Sequence, residues 1–281
     1  MSNGSIHKGG VHGGSIHNGG IHKDGIHGGG IHDGSISDSD IIEGRNAVIE
    51  ALRAGVTINK VFIAKGDADS TLWHIASRAR DAGAAVVEAD RRKLDLMSQT
   101  HAHQGVIAIA ACAEYATIGD ILDRARQKGE APLIVICDEI SDPHNLGAII
   151  RTCEASGAHG VIIPKRRSAG LTATVAKASS GAVYHSVIAR VANLTAAIGE
   201  LKKAGVWVFG ASVGGETPLW QADLKGPAAL VIGSEGAGIS RLVGENCDFS
   251  VSIPMFGCVR SLNASVSAAI LLYEAVRQRK L

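Results

Sequence analysis

Five polar residues stand where apolar runs give way to loops or to helical patterns. Asn145 and Arg151 follow the run that ends at Asp138, in DEISDPHNLGAIIRT (138–152). Glu235 lies in LVIGSEGAGI (230–239), and Ser261 and Asn263 lie in IPMFGCVRSLNASVSAAI (253–270). Together they offer one carboxylate, one permanent cation and three neutral hydrogen-bonding groups. An ionised carboxylate orients a hydroxyl or takes its proton. A guanidinium stays protonated at any biological pH, so Arg151 serves as a fixed charge beside an oxyanion or a phosphate rather than as a base. The plain alternatives are a surface ion pair for Arg151 and helix N-caps for Asn145 and Ser261. His144 is a further candidate base beside Asn145.

The elements that must carry these residues read as follows. Pro254 has no N–H and stops strand pairing after Ile253. Leu262, Val266, Ala269, Ile270 and Tyr273 then recur at spacings of three and four, which predicts a helix over 262–279 opening on Ser261 and Asn263. Strand candidates are 133–137, 160–164, 186–190, 206–211, 229–233 and 249–253, with helices near 146–156, 172–179 and 194–204. Near-continuous apolar strands imply a parallel sheet covered on both faces. A dinucleotide fold is disfavoured, because the first strand leads into Ser141-Asp142-Pro143 and not into G-x-G-x-x-G; Gly233, Gly236 and Gly238 come much later. Upstream, strands 61–64, 84–88 and 105–110 alternate with helical patterns near 46–54, 70–82 and 91–98, a small layered α/β unit over 41–111. Residues 112–131 read as a linker, with a helix near 118–128, and 132–281 as the second domain.

The three stretches, in this order, resemble the motifs of the SpoU family, the TrmH/RlmB-type 2′-O-ribose methyltransferases of the SPOUT class. The resemblance covers roughly residues 41–281 and is nearest to members that methylate a guanosine of 23S rRNA. It implies an α/β fold: an L30e-like RNA-binding front domain, where Glu43–Val48 and His103–Val106 match recurrent sequences, then a SPOUT catalytic domain with a deep C-terminal trefoil knot. It implies S-adenosylmethionine as methyl donor, held by loops around Gly210-Ala211-Ser212, Ile232-Gly233-Ser234-Gly236, and Ile253-Pro254 with Leu262, whose glycines let the backbone approach the donor. Asn145, Arg151, Glu235, Ser261 and Asn263 become the catalytic set. Structured RNA, with 23S rRNA favoured over tRNA, becomes the partner, and a homodimer through helix 262–279 the assembly. Two positions depart from the pattern: Arg260 puts a cation near the place of the sulfonium, and Ala264 is smaller than expected. A non-catalytic RNA-binding protein of the same fold is the reading from another class.

Composition agrees with a globular chain, at 46% apolar and 20% charged residues among 281. A net charge of +1 gives no global attraction to nucleic acid, so contacts with phosphate must come from local runs such as Arg91-Arg92-Lys93, Lys165-Arg166-Arg167 or the end of the chain, Arg277, Arg279 and Lys280. Five cysteines without a C-x-x-C pair argue against a disulfide framework or a zinc site. With no long apolar run and no signal-peptide pattern, a cytoplasmic location without membrane attachment is expected. Residues 1–37 repeat Ile-His or Val-His every five residues amid glycine, which fits neither helix nor strand, and disorder is expected there. Six histidines of that repeat could collect a metal adventitiously, and no metal site is expected.

Overall fold

The computed structural model describes residues 40–66, 69–98 and 100–280. The Gly/His repeat, expected to be disordered, lies outside the described residues. The front domain runs β1 (Ile41–Glu43), α1 (Arg45–Arg53), β2 (Ile58–Ala64), α2 (Ser70–Asp81), β3 (Ala85–Ala89), α3 (Arg91–Met97) and β4 (Val106–Ala110). Its sheet has the order β1-β4-β2-β3, with β2 and β3 parallel and the other pairs antiparallel. Alternation along the strands divides the core. Val61, Ile63, Val106 and Ala108 pack under α1 and α2, while Phe62, Ile107 and Ile109 meet Leu94 of α3 on the opposite face.

Residues 112–131 contain α4 (Ile118–Lys128), opened by a capping box between Thr117 and Asp120 and closed by Gly129 in the left-handed conformation. Its Ile118 and Ile121 pack with Ile134, Ile136 and Ile162, so the span read as a linker also builds core of the second domain.

That domain continues with β5 (Leu133–Cys137), α5 (Pro143–Ser156), β6 (Gly160–Pro164), α6 (Ala173–Ala178), β7 (Ile188–Val191), α7 (Leu194–Lys203), β8 (Trp207–Ala211), β9 (Thr217–Pro218), β10 (Ala228–Ile232), α8 (Arg241–Asn246), β11 (Phe249–Ser252) and α9 (Ala264–Lys280). Among the described residues the sheet has the order β7-β6-β5-β10-β8-β11-β9, and every pairing is parallel. Helices α5, α6 and α9 cover one face and α4, α7 and α8 the other. Leu271 and Leu272 of α9 are fully buried, and each contributes roughly 1.5–3 kcal/mol relative to exposure. The end of α9 is tied down by Arg279, which donates to the carbonyls of Ala131, Pro132, Leu224 and Gly226. Arg277 pairs with Glu274 and holds that carboxyl below its usual range. Two of the three terminal cations considered for RNA are therefore engaged within the protein.

Candidate active site

Two helix starts differ from the sequence reading, and both differences matter to the site. Asp142, not Asn145, caps α5: its carboxylate accepts from the amides of His144 and Asn145, and Pro143 fills the first helical position. The cap of α9 is Asn263, not Ser261. Its Oδ1 accepts from the amides of Ser265 at 2.9 Å and Val266 at 3.3 Å. Each helix thus begins so that an asparagine side chain remains directed at a neighbouring loop.

Those side chains converge on Glu235. Asn145 Nδ2 donates to Glu235 Oε1 at 2.9 Å, and Asn263 Nδ2 donates to Asn145 Oδ1 at 2.9 Å and to Glu235 Oε1. One oxygen of the carboxylate is held by two amides from two helices, while Oε2 accepts no hydrogen bond from the described residues. Because Asn263 Oδ1 is committed to its helix, its NH2 group must face Glu235; the capping bonds fix the flip of the amide.

Beside this cluster, at the carboxyl ends of β8, β10 and β11, three loops enclose a cavity of about 1110 Å³. In open parallel sheets that edge is the usual place for a ligand. Gly210, Ala211, Ser212, Ile232, Gly233, Ser234, Gly236, Ile253, Pro254 and Leu262, the residues expected to hold the donor, all line it. Glu235, Ser261 and Asn263 line it as well. Arg151 does not. It lies six residues beyond Asn145 on α5, about 9 Å along the axis and a third of a turn round it, exposed and without an ion pair among the described residues. His144 is exposed on α5 and outside the asparagine–glutamate cluster.

The glycine loop is fixed by its own backbone. Ser234 and Gly238 exchange amide–carbonyl bonds at 3.1 and 2.9 Å, with Gly236 and Gly238 at positive φ of 86° and 69°. A Cβ at Gly233 would lie 2.1 Å from the carbonyl carbon of Gly238 and 2.2 Å from the amide nitrogen of Ile239. Glycine at 233 is therefore required by the closing of the loop on itself, before any question of room for a donor. Asp138, 3% exposed at the end of β5, anchors the far side by accepting from the Ser240 amide at 2.7 Å. The sequence reading missed this clamp; an aspartate closing a fully apolar strand was its one signal.

Cys247 on the cavity wall and the buried Cys137 are not nucleophiles. Burial pushes Cys137 up to about 12 and Cys247 up to about 11, so both stay protonated at neutral pH. Among the described residues no group of three or more His, Cys, Asp or Glu side chains is placed to hold a metal. The cavity suits a nucleoside-sized ligand instead: it combines the apolar Ile232, Ile253 and Leu262 with the polar Ser212, Ser234 and Ser261.

A parallel α/β domain with a ligand-sized cavity at its strand ends, joined to a small α/β front domain, defines a two-domain α/β protein with a candidate ligand site. The comparisons with known proteins narrow it. The model described as the SpoU rRNA Methylase family matches residues 132–273, and the model for RNA 2′-O ribose methyltransferase substrate binding matches 41–116. A putative TrmH family tRNA/rRNA methyltransferase, YacO of Bacillus subtilis, is 46% identical over 85% of this chain and 96% of its own. The SpoU methyltransferase AviRb from Streptomyces viridochromogenes, solved with AdoMet, is 27% identical and superposes with a TM-score of 0.52 over 85% of this chain and 89% of that one. An AdoMet-bound rRNA methyltransferase from Sinorhizobium meliloti is 28% identical, with a TM-score of 0.53 over 84% and 86%. The chain belongs to the SpoU methyltransferase family. It is an RNA methyltransferase with the SPOUT fold, and both of these solved relatives carry S-adenosylmethionine.

Proposed function

We propose that this chain methylates the 2′-oxygen of a guanosine in 23S rRNA, within the cytoplasm and as a homodimer. The observation that carries the reading is the half-satisfied carboxylate of Glu235: Asn145 and Asn263 hold one oxygen at the cavity wall and leave the other open. S-adenosylmethionine supplies an electrophilic methyl group on a sulfonium sulfur. The loops 210–212, 233–236 and 253–262 orient it, and a cavity of about 1110 Å³ exceeds what one drug-sized ligand fills, leaving space for the acceptor ribose. Glu235 Oε2 would accept the hydrogen bond of the 2′-OH and align its lone pair in near-attack geometry. It would take the proton as the O–CH3 bond forms and the S–CH3 bond breaks, S-adenosylhomocysteine leaving as a neutral thioether. Ser261, exposed at the cavity, donates to the same ribose. Arg151 holds the flanking phosphate and steadies the developing alkoxide as a fixed cation.

Arg151 stands apart from the cavity of its own chain, and this favours the homodimer. An exposed apolar stripe on α9, with Val266 and Tyr273 at 45% and 51% exposure, lies on the helix that packs against α5. Pairing two copies there would let Arg151 of one subunit serve the other's cavity. The knotted C-terminus implied by family likeness accords with the way 253–262 shares one cavity with 233–240 before α9 turns back onto α5. Among the described residues no helix is long and apolar enough to cross a membrane.

Labelled donor incubated with separate rRNA and tRNA pools, followed by mapping of the modified nucleotide, tests the reading. A labelled guanosine in 23S rRNA is expected. Label in tRNA alone would move the substrate, and label in neither would favour an RNA-binding protein without transfer activity.

A further inference from the structure

The seam between the two domains is a network of directional bonds. A bulge in β2 leaves Asn59 out of the ladder, between Ile58, paired with Ala110, and Lys60, paired with Ile109. The side chain, on a residue only 7% exposed, donates at 3.0 Å to Ala110 O in its own domain and at 3.0 Å to Leu171 O in the other. Tyr115 donates its hydroxyl hydrogen to Asn59 Oδ1 and accepts from the Leu171 amide at 2.9 Å. Arg190 of β7 reaches across to the carbonyls of Asn59, Ile58 and Gly83 at 3.2, 3.2 and 3.0 Å, and its guanidinium sits 4.0 Å from the centre of the Tyr115 ring. A Cβ at Gly170 would come within 2.7 Å of the Asn59 amide, so the fit is close.

An apolar seam would suffice for cohesion and would tolerate tilting. Here a planar fork, an amide and a phenol must all meet their partners at one relative setting of the domains, and a change of setting strands buried polar groups. We propose that Asn59, Tyr115 and Arg190 are positioning residues that fix the front domain at one distance and angle from the methyl-transfer cavity, so that the acceptor nucleotide is selected by its spacing from the RNA held by the front domain. The inference rests on the RNA 2′-O-methylation reading above. It treats the two domains as one rigid gauge.

The test uses the full chain with Arg190→Ala, Arg190→Lys and Tyr115→Phe. Lysine keeps the charge without the fork, and phenylalanine keeps the ring without the bridging hydroxyl. Hydrogen exchange of peptides covering 57–60 and 111–116 should quicken tenfold or more in both Arg190 variants, while peptides from 233–263 and donor affinity stay unchanged. On folded rRNA the Arg190 variants should show KM raised at least tenfold with kcat within twofold, and methylation spread to neighbouring nucleotides. Tyr115→Phe, the variant least prone to misfold, should show about a threefold rise in KM. On a short oligonucleotide that cannot span both domains, all variants should match the unaltered chain.

Unchanged KM and an unchanged modified position despite faster exchange would overturn the gauge, as would a parallel loss of donor binding or of transfer to the short oligonucleotide. If the unaltered chain methylates no RNA, the functional reading itself fails, and the exchange data distinguish that failure from failure of the seam.

Discussion

Asn263 performs two tasks with the two ends of one amide, and substitutions can separate them. Its Oδ1 caps α9, and its Nδ2 bridges Asn145 and Glu235. Asn263→Ser keeps an oxygen suited to the cap but is too short to reach Glu235. Asn263→Ala loses both. Capping predicts a stability loss of about 1 kcal/mol for alanine, or roughly 2–4 °C in a protein of this size, and less than about 0.5 kcal/mol for serine. The lost bond is to a charged acceptor, worth about 1.5–3 kcal/mol, so transfer should fall roughly 10- to 150-fold in both variants. Thermal melts, calorimetry of donor binding and single-turnover methylation measure the three quantities separately. The reasoning is refuted if the serine variant transfers methyl groups at the unaltered rate, since the amide bridge would then be ornamental.

Arg151→Ala should leave S-adenosylmethionine affinity nearly unchanged, because the proposed role of Arg151 is on the acceptor phosphate and the donor loops all come from 210–262, while single-turnover transfer falls by about two orders of magnitude; Arg151→Lys should restore little. Gly233→Val should weaken donor binding, measured by calorimetry, by unseating the loop through collision with the Gly238 and Ile239 backbone. Light scattering should report a dimer, and a monomer that still methylates RNA would sink the shared site. His159, buried with Nδ1 accepting from the Leu133 amide, has its pKa lowered by burial. Its folded value is below the unfolded value of about 6.5, so stability is complete above that pH and declines as pH falls through the lowered value. Melting curves from pH 8 to pH 5 should show that decline, and His159→Gln should flatten it.

The parts of the fold built from long apolar runs were legible. Strands 133–137 and 160–164 appear at the predicted boundaries. What was missed is short or held by tertiary contacts: β1 and β9 span three and two residues, and α8 only six. Helix caps were misplaced because serine and asparagine both qualify, and spacing does not say which carbonyls and amides they will meet. The α9 pattern allowed a start at Ser261, whereas the loop reaches the cavity wall only if the helix waits until Ala264.

The lining of the cavity was legible for a different reason from the one first given. The glycines were assigned to close approach of the donor, yet Gly233 is filled against its own loop, and a Cβ at Gly210 would lie 3.0 Å from Cys247 Sγ. A glycine demanded by loop closure and one demanded by a ligand look alike in a sequence. They separate by experiment, because the first costs stability without donor and the second does not. Gly236 tests the distinction from the other side. It has open space around its Cβ position and a φ of +86°, so Gly236→Ala carries backbone strain on the order of 1 kcal/mol without a clash in the unliganded protein. If donor affinity falls by far more than the tenfold or less that such strain explains, the added methyl group is meeting the donor itself. A loss within tenfold would place the donor away from Gly236 and refute that part of the lining.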